Sequence, residues 1–225
     1  MKSEEILSED QPRGQKRSST KGKAACCGVT IRPLDSKDSI QELTDLLHLA
    51  YKLDEHQPYE YPMAKQSEET TRMHIKRGDC WIAELEGRII GVALVWPPAQ
   101  NVCRRWYRRW YHPRQTAYWR FMAVHPDFQN IGIGTMLTEH CEQSAVRMDA
   151  WELTGCSPVG SRQLSLYKRK GYKIFRYISF SDTNYQSVVF SKWVRNDIKE
   201  SMIRRVVRKT RFYKSFLWYK LGILS

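Results

Sequence analysis

Apolar residues recur along the middle of the chain with two different periods, and the switches between them outline its elements. The stretch "GVTIRPL" reads as a short strand, and Ile40, Leu43, Leu46, Leu47, Ala50 and Tyr51 then follow at helical spacing. Ser39 with Glu42 three residues on offers a capping box at the start of that helix. A Pro- and Tyr-rich loop, "EHQPYEYPM", leads to a second predicted helix, "SEETTRMHIKRG", which Gly78 is expected to close just past the C-cap.

"CWIAELEGRIIGVALVW" reads as two strands around a Glu86-Gly87 turn, and Pro97 and Pro98 stop the second because proline cannot donate to a ladder. A loop of about twenty residues follows, longer than most connections in a compact domain, and loops of that length often carry function. It contains "CRRWYRRWYHPRQ", five arginines among four aromatic residues. Next come a strand "AYWRFMAV", a tight turn, and a helix with Met136, Leu137, His140, Cys141, Ala145 and Met148 on one side. A strand "WELTG", a helix "SRQLSLYKRKG" and strands "YKIFRYISF" and "QSVVFSKWV" complete the series. The order β-α-α-β-β-β-α-β-α-β-β predicts a mixed α/β domain, with no internal repeat.

Composition narrows this picture. At 225 residues, 41% of them hydrophobic and 27% charged, the chain fits one well-filled domain with appendages, and it has no apolar run of membrane-spanning length. The net charge of +13 suggests nucleic acid until it is divided along the chain: residues 104–120 carry +6, residues 199–225 carry +7 and residues 1–28 carry +2, leaving the body near −2. We therefore expect a disordered tail over 1–28, one domain over 29–195 and a basic amphipathic helix over 196–225. Six cysteines without a C-x-x-C pair predict reduced thiols and no zinc, and the N-terminal stretch has no apolar signal core, so a cytoplasmic location is expected.

The segment that carries chemistry is "MAVHPDFQNIGIGTM", residues 122–136. A strand runs into a turn with Gly132 and Gly134, and that turn opens a helix. Glycine lets backbone N–H groups approach a bulky anion, and the helix N-terminus adds positive potential, which together make a pyrophosphate site. The spacing fits neither a P-loop nor the G-x-G-x-x-G dinucleotide fingerprint.

"AVHPDFQNIGIGTML" resembles the Q/R-x-x-G-x-G/A motif of the GNAT superfamily, the acyl-CoA-dependent N-acyltransferases, and "GCSPVGSRQLSLYKRKGY", residues 155–172, resembles that family's later motif. The resemblance implies a mostly antiparallel central sheet flanked by helices. It implies that Met122, Ala123 and Val124 end the strand whose main chain pairs with the pantetheine arm of acetyl-CoA. Gln129, Asn130, Ile131, Gly132, Ile133, Gly134 and Thr135 would wrap the CoA pyrophosphate, chiefly through backbone N–H, and Tyr167 would protonate the departing thiolate. No metal is implied. The sequence departs from the family where some members carry a Glu base in the fourth strand, since Arg120 stands in "AYWRFMAV", and where many carry an Asn, at Gly160. The base stays open among a water chain, an already neutral amine, His112, Glu84 and Glu152.

On such a fold the Arg/Trp stretch joins the third and fourth strands, beside the acceptor channel, either as a lid or as a solvated loop over the core edge. "PYEYPM" is expected to form another wall. The tail places Ile198, Met202, Val206, Tyr213, Leu217 and Leu221 near one helical face, suiting an anionic membrane surface, a partner groove, the domain's own surface or a second copy in a homodimer. The expected activity is acetyl transfer from acetyl-CoA to a primary amine on a small molecule or peptide, with nucleic acid not the expected partner. The alternative is a non-catalytic module on the same fold that binds nucleic acid or a membrane surface through its basic segments.

Overall fold

The computed structural model describes residues 28–52, 59–98, 115–195, 197 and 202–222. Strands β2 (Asp79–Leu85) and β3 (Arg88–Trp96) form the hairpin read around Glu86-Gly87, whose φ angles of 51° and 79° give the twist a two-residue turn needs. Strand β1 (Thr30–Pro33) pairs with β2, and β4 (Thr116–Val124) pairs with β3. Beyond β4 lie β5 (Glu152–Pro158), β7 (Gln186–Trp193) and β6 (Lys173–Ser179), completing one seven-stranded sheet in the order β1-β2-β3-β4-β5-β7-β6. Every pairing is antiparallel except β4 with β5. The helices are α1 (Ile40–Tyr51), α2 (Glu68–Ile75), α3 (Ile133–Arg147), α4 (Gln163–Arg169) and α5 (Met202–Lys220).

The element order is the one the periodicity predicts, and α5 is the C-terminal helix expected from the amphipathic tail. The tail over 1–28, apart from Gly28, and most of the Arg/Trp loop, including His112, lie outside the described residues.

Each face of the sheet has its own core. Leu43, Leu46 and Leu47 of α1 pack on Ile82, Val92, Leu94 and Phe121. On the other face Ile133, Leu137 and Cys141 of α3 and Leu164 and Tyr167 of α4 pack on Ile90, Ala93, Ala117 and Trp119. One backbone irregularity allows β4 to serve both. Leu94 pairs with Phe121 but Val95 pairs with Trp119, so Arg120 is an unpaired bulge residue. Because a bulge reverses the alternation of side chains, Trp119 enters one core while Phe121, two residues on, enters the other.

Two local expectations resolve differently. Ser39 does cap α1, its hydroxyl accepting from the Glu42 N–H at 3.2 Å, but the Glu42 carboxylate accepts from the Ile89 N–H of β3 at 3.0 Å instead of closing a box. Gly78 is not a left-handed cap: α2 ends at Ile75, and a β-carbon at position 78 would fall 2.0 Å from the Val95 carbonyl oxygen. Glycine stands there because β3 passes too close for any side chain.

Helix α5 lies along the outer strand β6. Phe212, Phe216 and Tyr219 surround Tyr177, with Tyr219 stacked on it at 4.7 Å. The Ser215 hydroxyl accepts from the Tyr177 N–H at 3.1 Å, which satisfies a donor on an otherwise open sheet edge. The face that packs is therefore not the Val206, Tyr213, Leu217 and Leu221 face, which stays exposed.

Candidate functional site

Strands β4 and β5 pair only over Thr116–Tyr118 and Glu152–Thr154. Past those three pairs β4 stays with β3 to Val124 and β5 stays with β7 to Pro158, so the two halves of the sheet part into a cleft. The main chain of Met122 faces that cleft. Its carbonyl accepts from the Tyr51 hydroxyl at 2.8 Å, and its N–H donates back to the same oxygen at 3.3 Å. Ala123 is buried on the α1 face, and the Val124 carbonyl accepts from the Gln129 amide nitrogen at 3.1 Å.

The turn after β4 is built to leave N–H groups pointing outward. Asn130 and Gly132 both hold positive φ, 65° and 109°, and the second is the N-cap of α3, where an L side chain is rarely accommodated. Gln129 and Thr135 spend their N–H groups on the Pro126 and Gly132 carbonyls within the turn. The N–H groups of Gly132, Ile133 and Gly134 have no acceptor among the described residues. Three unsatisfied donors at the start of a fifteen-residue helix suit an anion. The Ile133 side chain is buried and anchors the turn. A β-carbon at Gly134 would lie 3.5 Å from the Leu166 side chain and 3.9 Å from that of Met122, so this position adjoins both α4 and the cleft strand and has room in front of it.

The cleft widens into a cavity of about 800 Å³. Tyr167 of α4 is on its wall, 8% exposed, its ring stacked 4.2 Å from Phe190 and edge-on to Trp119 at 5.2 Å. That stack needs Gly155, where a β-carbon would meet Phe190 at 2.9 Å. Burial, reinforced by the neighbouring Tyr51 and cysteines, pushes the Tyr167 hydroxyl well above its ordinary range, so it keeps its proton. Tyr51 is likewise pushed up to about 12, chiefly by burial. Beside them the Cys156 sulfur lies 3.6 Å from the Tyr118 hydroxyl.

One side of the cavity is aromatic. Tyr59 and Tyr61 pack on Tyr185 of the β6–β7 loop at 5.2 and 5.5 Å, and Tyr61 packs on Tyr51 at 5.0 Å. The Tyr59 hydroxyl donates to the Val159 carbonyl at 2.7 Å and the Glu60 N–H to Asn184 at 2.9 Å, so the "YEYPM" segment is strapped across to the far half of the sheet. The loop expected to form a wall does line the cavity, through Tyr61, Pro62 and Met63.

Another part of the wall is cationic. Arg77 and Arg120 both lie over the Trp96 ring, 5.6 and 5.4 Å from its centre. Neither has a carboxylate partner among the described residues. His74 sits edge-on to Trp96, with Nε2 3.4 Å from the Arg120 guanidinium. Burial, then Arg120 and Arg77, lower its pKa to about 4, and since an arginine nitrogen only donates, Nε2 is the acceptor.

Of the candidate bases named from the sequence, Glu84 and Glu152 do not line the cavity, and His112 lies outside the described residues. Glu84 is bound to Arg32 at 2.7 Å, and Glu152 sits where β4 and β5 are still paired. Tyr51, His74, Arg77 and Trp96 were not singled out as site residues by their sequence context. Tyr51 reads as the last core position of a helix and His74 as part of a polar one; only the folding of α1 and α2 over β4 brings them to the cleft. Among the described residues no cluster of His, Cys, Asp and Glu is gathered for a metal, and no helix is long and apolar enough to cross a membrane.

Comparison with known proteins agrees with this architecture. Residues 76–174 match the model of an acetyltransferase (GNAT) domain, a span that includes β4, the turn and Tyr167. No curated protein sequence matches the chain. The fold is shared with a GNAT family acetyltransferase from Elizabethkingia anophelis, solved with acetyl-CoA bound, at 20% identity and a TM-score of 0.52 over 74% of this chain and 98% of that one. It is also shared with the ribosomal-protein-S18-alanine N-acetyltransferase of Escherichia coli (16% identity, TM-score 0.54, 76% and 99% covered). The aminoglycoside 6'-N-acetyltransferase of Enterococcus faecium aligns similarly (12% identity, TM-score 0.58, 76% and 99% covered).

Proposed function

We propose that this chain is an N-acetyltransferase of the GNAT superfamily that moves an acetyl group from acetyl-CoA to a primary amine by direct attack, a reading supported by the match of residues 76–174 to a GNAT acetyltransferase domain and by the shared fold. One observation carries the reading. The cleft between β4 and β5 has the free N–H groups of Gly132, Ile133 and Gly134 beside it and the protonated Tyr167 hydroxyl on the wall of the cavity it opens into, with the main chain of Met122 facing it.

In this reading the turn from Asn130 to Gly134 holds the pyrophosphate, and the edge of Met122–Val124 takes the pantetheine arm. The amine nitrogen bonds to the thioester carbonyl carbon, and a main-chain N–H of β4 stabilises the charge that builds on the carbonyl oxygen. As the carbon–sulfur bond breaks, the thiolate takes the proton of Tyr167, a phenol that is protonated at neutral pH. The proton lost by the amine passes to water, and solvent reloads the phenol. No carboxylate base is needed if the amine arrives neutral. In this reading the acceptor carries an anionic group, a carboxylate or phosphate that meets Arg77 and Arg120 over Trp96, and the two guanidiniums are what supports it.

Calorimetric titration with acetyl-CoA tests the first half of this: saturable binding is expected, and its absence at several salt concentrations overturns the enzyme. Steeply salt-dependent binding to DNA or RNA without CoA affinity would favour a non-catalytic module instead. A screen of amines by release of free CoA thiol identifies the acceptor, and amines bearing a carboxylate or phosphate are expected to turn over ahead of their neutral analogues.

A further inference from the structure

Helix α5 has two apolar faces, and only one is covered. Phe212, Ser215, Phe216 and Tyr219 meet β6, whereas Val206, Tyr213, Leu217 and Leu221 stand 57%, 67%, 57% and 62% exposed. Steps of seven, four and four residues align those four side chains in one stripe along the helix. Thr210 interrupts the stripe between Val206 and Tyr213, and from Tyr213 to Leu221 it is unbroken; an exposed apolar stripe rimmed by charge marks an interaction surface. Here the rim has one sign: Met202–Lys220 holds seven basic residues and no acidic one, and Lys209 and Lys214 are exposed on either side of the stripe.

We propose that this face docks on an anionic lipid bilayer. The charge decides between occupants. A second copy would bring two helices of the same strong positive charge together. Residues 1–27 carry +2, and residues 99–114 hold five arginines and no acid, so neither segment offers the countercharge. A bilayer surface with acidic headgroups supplies both requirements at once, anions for the lysines and an acyl boundary for the leucines, with Tyr213 and Trp218 suited to the interface between them. The inner face stays on β6, so docking leaves the fold unchanged. Because Ile178 and Ser179 at the end of β6 line the cavity, a docked chain holds that cavity close to the lipid surface.

Flotation of the full chain with vesicles tests this at ionic strength of about 0.15 M. Recovery with vesicles of phosphatidylcholine and phosphatidylserine is expected, and none with phosphatidylcholine alone. The triple variant Tyr213→Ser, Leu217→Ser, Leu221→Ser should partition at least about tenfold less while unfolding at an unchanged temperature, since all three side chains are exposed. Lys209→Gln and Lys214→Gln should each cost about fivefold on anionic vesicles. Four outcomes overturn the proposal: no flotation, equal partition into neutral vesicles, full retention by the triple variant, or a stripe that drives self-association in sedimentation equilibrium and not vesicle binding.

Discussion

The Tyr51 hydroxyl both donates to the Met122 carbonyl and accepts from the Met122 N–H, at 2.8 and 3.3 Å, so one side chain from α1 occupies both main-chain groups that Met122 turns toward the cleft. Any ligand that is to pair with β4 there must first displace that phenol. Tyr51→Phe removes the competitor, and acetyl-CoA should bind about fivefold tighter in calorimetry, the worth of one net hydrogen bond. Weaker binding would mean that Tyr51 helps hold the arm.

The turn tests separately. Gly134→Asp places a carboxylate in front of N–H groups that have no other acceptor, in a space that ordinary packing leaves open. The variant should fold with native thermal stability and lose measurable acetyl-CoA binding. Normal binding by the folded variant would move the phosphate site elsewhere.

For the proton, Tyr167→Phe keeps the ring on Phe190 and Trp119 and removes only the hydroxyl. Turnover should fall about a hundredfold with acyl-donor affinity retained, because the loss is confined to the departing thiolate. Unchanged turnover in a chemistry-limited assay would take Tyr167 out of the acid role.

His74 makes stability depend on pH. Its folded pKa is lowered from 6.5 to about 4, so between those values the unfolded chain binds the extra proton, and stability falls as pH drops through that window. In urea unfolding at pH 5 and pH 7, His74→Gln should narrow the difference between the two. An equal difference would show that other groups set it.

Gly78→Ala should destabilise by about 3 kcal/mol or fail to fold, since the added carbon would sit 2.0 Å from the backbone of β3, which cannot give way as a side chain could. Thermal unfolding measures this directly.

These positions also show where reading from sequence stops. The hairpin at Glu86-Gly87 and the order of elements follow from periodicity, because each depends on residues near one another in the chain. Gly78 and Glu42 were read with local roles, cap and capping box, and each turned out to answer to β3. The bulge at Arg120 is invisible in the pattern of β4, where alternate positions are buried from Ala117 to Ala123 as in a regular strand. The glycine turn was legible because its chemistry is local. The cationic end of the cavity was not, because Arg77, Trp96 and Arg120 come from a helix terminus and two strands.

The three-pair seam between β4 and β5 has a mechanical consequence. It is the thinnest joint in the sheet, and past it the halves are bridged by aromatic contacts and the Tyr59 strap rather than by a ladder. An acyl donor lying in the cleft would act as an eighth strand, cross-bracing β4 to β5. Amide hydrogen exchange along both edges should then slow together on acetyl-CoA binding, and the free chain should open first along this line.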